Sequence, residues 1–132
     1  MDKKDYQNWM KTKARIHNDA LKPSIFKKGE IWVCNVGENV GHENDGKGVQ
    51  YTRPVLIIQK YGNMSCPVLP LSATQRRGYY YFPFDGHSGK TSVALLTQSR
   101  IVDASRLRRK IGYVDKNVFV EIQERLKQVL GL

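Results

Sequence analysis

The chain has 132 residues, 40% hydrophobic and 26% charged, a balance that predicts one soluble globular domain and excludes a disordered tail. Apolar runs such as residues 55–58 and 93–96 are far too short to cross a bilayer, and the charged start Met1-Asp2-Lys3-Lys4-Asp5 leads into no apolar stretch of a secretory signal. The net charge of +10 sits on the flanks. Residues 1–29 carry eight Lys/Arg against three acids, residues 99–132 carry eight against four, and the middle is nearly neutral, a distribution that suits a polyanion or an acidic protein as partner.

In chain order, residues 5–20 predict a helix, because Tyr6, Trp9, Met10, Lys13, Ile16 and Ala20 recur at spacings of three and four. Asp5 can cap it and Pro23 bars its continuation, so residues 1–28 read as a helical extension ahead of one domain over 29–132. Residues 30–36, rich in β-branched and aromatic types, predict a strand. Residues 37–50 hold four glycines among polar residues and predict a long loop of the kind that carries function. Residues 53–59 predict a strand buried on both faces, with Pro54 at its first position where a missing N–H does least harm.

A strand over 64–71 follows, which Pro67 and Pro70 mark as an edge or a bulge. Strands over 79–84 and 92–98 flank the turn Asp85-Gly86-His87-Ser88-Gly89. Asp103 can cap a short helical turn through Leu107, and residues 109–114 predict a last strand. Asp115 then caps a helix over 116–130, with Val118, Phe119, Ile122, Leu126, Val129 and Leu130 on one stripe and Gly131 just past its end. The pattern is mainly β with α, a small curled antiparallel sheet covered by the closing helix.

Several motifs fail on inspection. Gly86-His87-Ser88-Gly89-Lys90-Thr91 has Phe84 where a phosphate-binding loop needs its first glycine, and no long helix follows, so it predicts a tight turn. His17, His42 and His87 are scattered, and neither Cys34 nor Cys66 has a Cys-x-x-Cys partner, so no metal or other cofactor is expected. The two cysteines read as reduced thiols of a cytoplasmic protein.

Five collinear pieces do belong together. They are Gly29-Glu30-Ile31-Trp32; Gly41-His42-Glu43 with Arg53-Pro54-Val55-Leu56-Ile57-Ile58; Pro70-Leu71-Ser72; residues 95–103 with Arg106-Leu107 and Lys110-Ile111-Gly112; and the closing helix. In this order over residues 29–132 the chain resembles the MazF/PemK family of toxin endoribonucleases from bacterial toxin–antitoxin pairs. The resemblance implies an SH3-like barrel that dimerises, cuts single-stranded RNA without a metal, and is neutralised by a cognate antitoxin. The implied step is transesterification, in which the ribose 2′-OH attacks the adjacent phosphorus. Such a step needs a cation on the phosphate, a base and an acid.

Arg53 matches the family's catalytic arginine, and its planar fork suits phosphate; a strand-end arginine paired with Glu43 or Asp45 is the other reading of the residue type. Ser72 matches the catalytic hydroxyl, with Thr74 close enough to substitute after a small shift of register and turn formation as the plainer role. His42 is a candidate for proton transfer near neutral pH, or equally a solvated loop histidine. Thr97 stands where family members often carry a carboxylate, and the 43–53 loop looks longer than usual.

For RNA contact we assign Glu43, Arg76, Arg77, Tyr79, Thr97 and Gln98. Arg76 and Arg77 precede the aromatic run 79–82, and cations interleaved with aromatics suit phosphates and stacked bases. Alternate members of that run must face the core of any strand. Arg106, Arg108, Arg109 and Lys110 either widen the positive groove or solvate the surface. Two rival readings stand beside this one: a non-catalytic nucleic-acid- or protein-binding module, favoured by Thr97, and a gyrase-directed toxin on the same barrel.

Overall fold

A computed structural model describes residues 25–37, 52–86 and 90–132. The N-terminal helix expected over residues 5–20 and most of the loop expected over 37–50 lie outside these residues. Described in chain order are β1 (Glu30–Asn35), β2 (Thr52–Ile57), β3 (Ser65–Ser72), β4 (Tyr81–Asp85), β5 (Thr91–Leu95), β6 (Arg100–Asp103), β7 (Leu107–Tyr113) and the helix α1 (Lys116–Leu130). The ladders are antiparallel and the path runs β4-β5-β3-β2-β1-β7, with β6 paired to the first half of β3 and β5 to its last residues.

The sheet buries both faces, which follows from alternation along its strands. Trp32, Cys34, Val55, Ile57, Cys66 and Val68 point into the concave side, closed over by Phe26, Val102, Ala104 and Leu107. Their neighbours Ile31, Leu56, Leu69 and Leu71 point the other way, against Phe119, Ile122 and Leu126 of α1. Val55 to Ile57 are all buried, so the expectation of a strand covered on both faces holds for that half of β2. At the entrance, Gly29 has φ 88°, a left-handed conformation that fits glycine. Its N–H donates to the Ile57 carbonyl and its carbonyl accepts from Val114 N–H, so this turn joins β2 to the end of β7.

Three expectations are corrected. The expected barrel is not closed by hydrogen bonds: β4 and β7 terminate the path without pairing with each other. The chain passes from β6 to β7 through a 3₁₀ turn, Ala104–Arg106, instead of a ladder; Asp103 caps that turn by accepting from Ser105 N–H at 2.9 Å, and Ala104 N–H donates to Met64 O at 2.8 Å. Second, β3 is central despite its two prolines. Pro67 accepts from Ile58 N–H at 2.9 Å at the far end of the β2 ladder, where its own missing N–H matters least. By alternation Pro70 faces the other edge, in the gap between β6, whose pairing stops at Val68, and β5, whose pairing starts at Leu71. Third, the strand expected over 92–98 ends at Leu95 and turns into a 3₁₀ segment, Leu96–Gln98, because the buried Leu96 must reach the α1 side.

The turn that mimicked a phosphate loop joins β4 to β5 as a hairpin, with Asp85 opposite Thr91 and Gly86 N–H donating to Lys90 O at 2.9 Å; residues 87–89 lie outside the described residues. The last strand starts two residues earlier than expected. It carries two irregularities against β1, which leave Arg108 and Ile111 as extra residues. α1 spans the expected residues; Asp115 is at its N-cap without a side-chain bond to the helix, and Gly131 ends it at φ 77°.

Candidate active site

The ends of β1 and β3 and the start of β2 meet at one end of the concave face. Val55 pairs with Pro70, and continuing that register by two residues sets Arg53 across from Ser72. Arg53 also pairs with Cys34 of β1, and Ser72 with Val93 of β5. Residues directly opposite in an antiparallel ladder share a face with Cβ atoms about 5 Å apart. Extended in this way beyond its last pair, Val55 with Pro70, the register puts Arg53 and Ser72 on the same face at the rim of the inner core. The contact between Arg53 Nε and the Leu71 carbonyl, 3.3 Å, ties the guanidinium to the strand that carries Ser72.

Electrostatics sharpen this corner. Arg53 is half-buried, and burial, followed by the like charge of Arg76, pushes its pKa below the usual arginine value. Arg76 itself is exposed on the loop after β3, with its guanidinium 5.7 Å from the Tyr81 ring centre. No carboxylate among the described residues pairs with either arginine. Among the described residues these are two guanidinium groups without an acidic partner, an arrangement that favours an anion nearby. The strand-end ion pair weighed for Arg53 with Glu43 or Asp45 involves partners outside the described residues.

Ser72 Oγ accepts a hydrogen bond from Thr74 N–H at 3.1 Å. The turn-forming role is thus met, and it orients the hydroxyl: with one lone pair occupied, the O–H is left to donate to a neighbouring anion. Thr74 itself is exposed, and its backbone, not its hydroxyl, makes this contact. Arg77 is exposed beyond Arg76.

Tyr79 is half-exposed and also makes contacts with α1. Its hydroxyl donates to Gln128 Oε1 at 3.0 Å and its carbonyl accepts from Arg125 Nη1 at 3.2 Å, so it is docked on α1. Thr97 and Gln98 are exposed on the 3₁₀ segment between β5 and β6. Both of those strands pair with β3, so the segment runs beside the part of β3 that leads to Ser72. His42 and Glu43 lie outside the described residues.

Arg106 adds a guanidinium at the same end of the fold, its Nη1 3.4 Å from the Asn35 carbonyl, and Asn35 pairs with Thr52 beside Arg53. Lys110 instead serves the opposite end, where its Nζ lies 2.7 Å from Glu30. The basic run 106–110 is thus split between two roles. Among the described residues no group of three or more His, Cys, Asp or Glu side chains could hold a metal ion, and no helix is long and apolar enough to span a membrane.

An antiparallel sheet backed by one helix, with Arg53 held to the Leu71 carbonyl next to Ser72, is the arrangement to be set beside known proteins. Comparison with them gives this arrangement its family. The profile of the PemK-like, MazF-like toxins of type II toxin–antitoxin systems matches residues 27–130, and the chain belongs to that family of endoribonucleases. Endoribonuclease EndoA of Bacillus subtilis (strain 168) is 30% identical over 123 residues, covering 82% of this chain and 97% of that protein. The crystal structure of MazF (Form-I) from Deinococcus radiodurans superposes with a TM-score of 0.66 at 20% identity, over 83% of this chain and 99% of that one. A mycobacterial endoribonuclease solved in complex with its cognate antitoxin gives 0.62 at 16% identity, over 82% and 97%. These two likenesses show the fold.

Proposed function

We propose that this chain cleaves single-stranded RNA at selected sequences by transesterification, as the toxin of a toxin–antitoxin pair. The observation that carries the reading is the half-buried Arg53 guanidinium tied to the Leu71 carbonyl, next to Ser72, with no carboxylate of the described residues in an ion pair with it.

In this mechanism the substrate supplies its own nucleophile. The 2′-oxygen forms a bond to the adjacent phosphorus as the bond from phosphorus to the 5′-oxygen breaks, leaving a 2′,3′-cyclic phosphate and a 5′-OH. Charge grows on the equatorial phosphate oxygens during this step. Arg53, already desolvated and held by the Leu71 carbonyl, offers its remaining N–H groups to one of those oxygens, and the Ser72 hydroxyl donates to another. Preorganised donors of this kind work because they need no rearrangement as the charge develops.

The 2′-OH proton must leave to a base and the 5′-oxygen must receive one from an acid. We assign proton transfer to the segment between β1 and β2, with His42 the leading candidate and Glu43 assisting, because that segment joins two strands at the rim that carries Arg53. Arg76, Arg77, Thr97 and Gln98 extend the RNA track beyond the scissile phosphate, and an acidic stretch of an antitoxin fits the same cationic corner. The homodimer, the metal independence and the cytoplasmic location are parts of the same proposal. The added N-terminal unit, residues 1–28, stands as a separate proposal.

The test is incubation of the purified chain with a long single-stranded RNA in EDTA. Discrete fragments ending in cyclic phosphate, lost in Arg53→Ala, support the proposal. A second reading, a non-catalytic binding module, draws on Thr97 at the position of the family's frequent carboxylate. RNA that is bound but left intact would favour it, and gyrase inhibition without cleavage would favour the gyrase-directed reading.

A further inference from the structure

The loop between Ser72 and Tyr81 carries Thr74, Arg76 and Arg77, and its middle is exposed throughout. At one end it is held by Thr74 N–H on Ser72 Oγ. At the other it is held by contacts that reach round the sheet to α1. Arg125 Nη1 donates to the Tyr79 carbonyl at 3.2 Å, and the same guanidinium lies 5.1 Å from the Tyr79 ring centre and 5.6 Å from that of Phe82. Three residues along the helix, one turn away, Gln128 Oε1 accepts the Tyr79 hydroxyl at 3.0 Å. Tyr80 packs edge-on against Tyr79, and its carbonyl accepts from Leu96 N–H at 3.1 Å. Gly78, at φ 123°, makes the reversal, closed by Tyr81 N–H on the Gly78 carbonyl.

These contacts are surplus to the fold. β4 is already paired with β5 from Tyr81 to Asp85, and α1 is already seated by Phe119, Ile122 and Leu126. What Arg125 and Gln128 add is a fixed position for Tyr79, three residues from Arg76, whose guanidinium rests over Tyr81 with its charge felt at Arg53. An exposed loop with one tether samples many positions, so an arginine on it meets a phosphate in few of them. A second tether removes that freedom before the substrate arrives.

We infer that Arg125, seated on the helix behind the sheet, is a positioning residue for RNA binding, holding Tyr79 so that Arg76 is presented beside Arg53. The inference rests on the proposed reading of this corner as the RNA-cleaving site. Arg125 itself touches no reacting atom.

The experiment measures kcat and KM on a single-stranded RNA oligonucleotide across a salt series for four chains: wild type, Arg76→Ala, Arg125→Ala and the double variant. One lost phosphate contact on a single strand lowers the slope of log(kcat/KM) against log[salt] by about 0.7. Arg76→Ala is expected to show that drop, with KM raised about tenfold, the equivalent of one charge-assisted hydrogen bond. Arg125→Ala is expected to reproduce most of both changes with kcat and the melting temperature preserved, and the double variant to add nothing to Arg76→Ala. Arg125→Lys, which keeps a cation over the rings, is expected to restore part of the loss.

Additive losses in the double variant would overturn the inference, since Arg125 would then be acting on RNA directly or through another part of the chain. A full slope in Arg125→Ala beside a reduced one in Arg76→Ala would overturn it while leaving the site reading intact. No change in Arg76→Ala itself would remove Arg76 from the site, and the inference with it.

Discussion

Replacing Arg53 by alanine separates the demands of chemistry from those of folding, because the structure predicts opposite consequences for the two. The side chain makes one part-buried hydrogen bond, Nε to the Leu71 carbonyl, worth about 1 kcal/mol net to stability. Against that gain stand the partial burial of a charge and the repulsion of Arg76, the two causes that push the guanidinium pKa down. Alanine removes the bond and both penalties together, so the unfolding free energy should change by less than about 1 kcal/mol, in either direction. Activity should respond very differently. Loss of one preorganised donor to developing oxyanion charge costs on the order of 10²–10³ in kcat.

The assay pairs a fluorogenic single-stranded RNA, read for kcat, with urea unfolding of the same preparation. Arg53→Lys sharpens it: lysine keeps the charge but has neither Nε for Leu71 nor a planar fork, so it should recover less than about a tenth of the rate. Cleavage within tenfold of wild type in a folded Arg53→Ala protein would refute the catalytic assignment. Destabilisation by more than about 2 kcal/mol would instead mark Arg53 as a residue that holds β2 to β3.

Three further outcomes follow from particular contacts. Ser72→Ala should lower kcat by about 10² while Thr74→Ala stays within a few-fold of wild type, since only Ser72 is set across from Arg53; the reverse order in the RNA assay would move the hydroxyl to Thr74. Burial alone would raise the Glu30 pKa, but the hydrogen bonds from Lys110, Trp32 and the Lys27 N–H, with the Lys110 charge, outweigh it and leave the carboxyl below its ordinary range. A depressed carboxyl contributes stability above its unfolded pKa and loses it as the pH falls through the folded one, so urea midpoints should drop below about pH 5 in wild type and less steeply in Glu30→Gln. Burial, with Cys66 close by, pushes the Cys34 thiol up to about 12, and burial with Asp103 pushes Cys66 up to about 11, so neither should react with an aromatic disulfide reagent at pH 8 until the chain is unfolded, as thiol release would show.

Local pattern announced the strands well where both faces are covered. Residues 31–34 and 55–57 are apolar without interruption, with side chains alternating between the inner core and the side that α1 covers. The prolines of β3 misled for an instructive reason. A proline is a local signal against a central strand, but whether its missing N–H matters depends on which neighbour lies beside it, and that is a property of the assembled sheet. The open path was equally hidden, since nothing in residues 100–113 says that β6 will pair with β3 and leave β7 to β1.

At the site, Arg53 and Ser72 could be picked out by motif, yet their placement across from each other depends on a register set by Val55 and Pro70. Tyr79 was grouped with the RNA contacts because it follows two arginines. Its partners Arg125 and Gln128 are 46 and 49 residues away, a separation at which no sequence pattern operates. The one available hint was a polar pair three apart on a helix otherwise read for its apolar stripe.

The kinked outer margin of β7 has a physical consequence of its own. A flat, uncharged border would be a template on which copies of the chain could stack without limit. The surplus residues Arg108 and Ile111 bend that border, and Arg108, Arg109 and Lys110 crowd it with positive charge, so an incoming copy meets a mismatched ladder and electrostatic repulsion together. Among the described residues this border of the sheet has no further strand beside it, and its shape and charge resist fibrous growth.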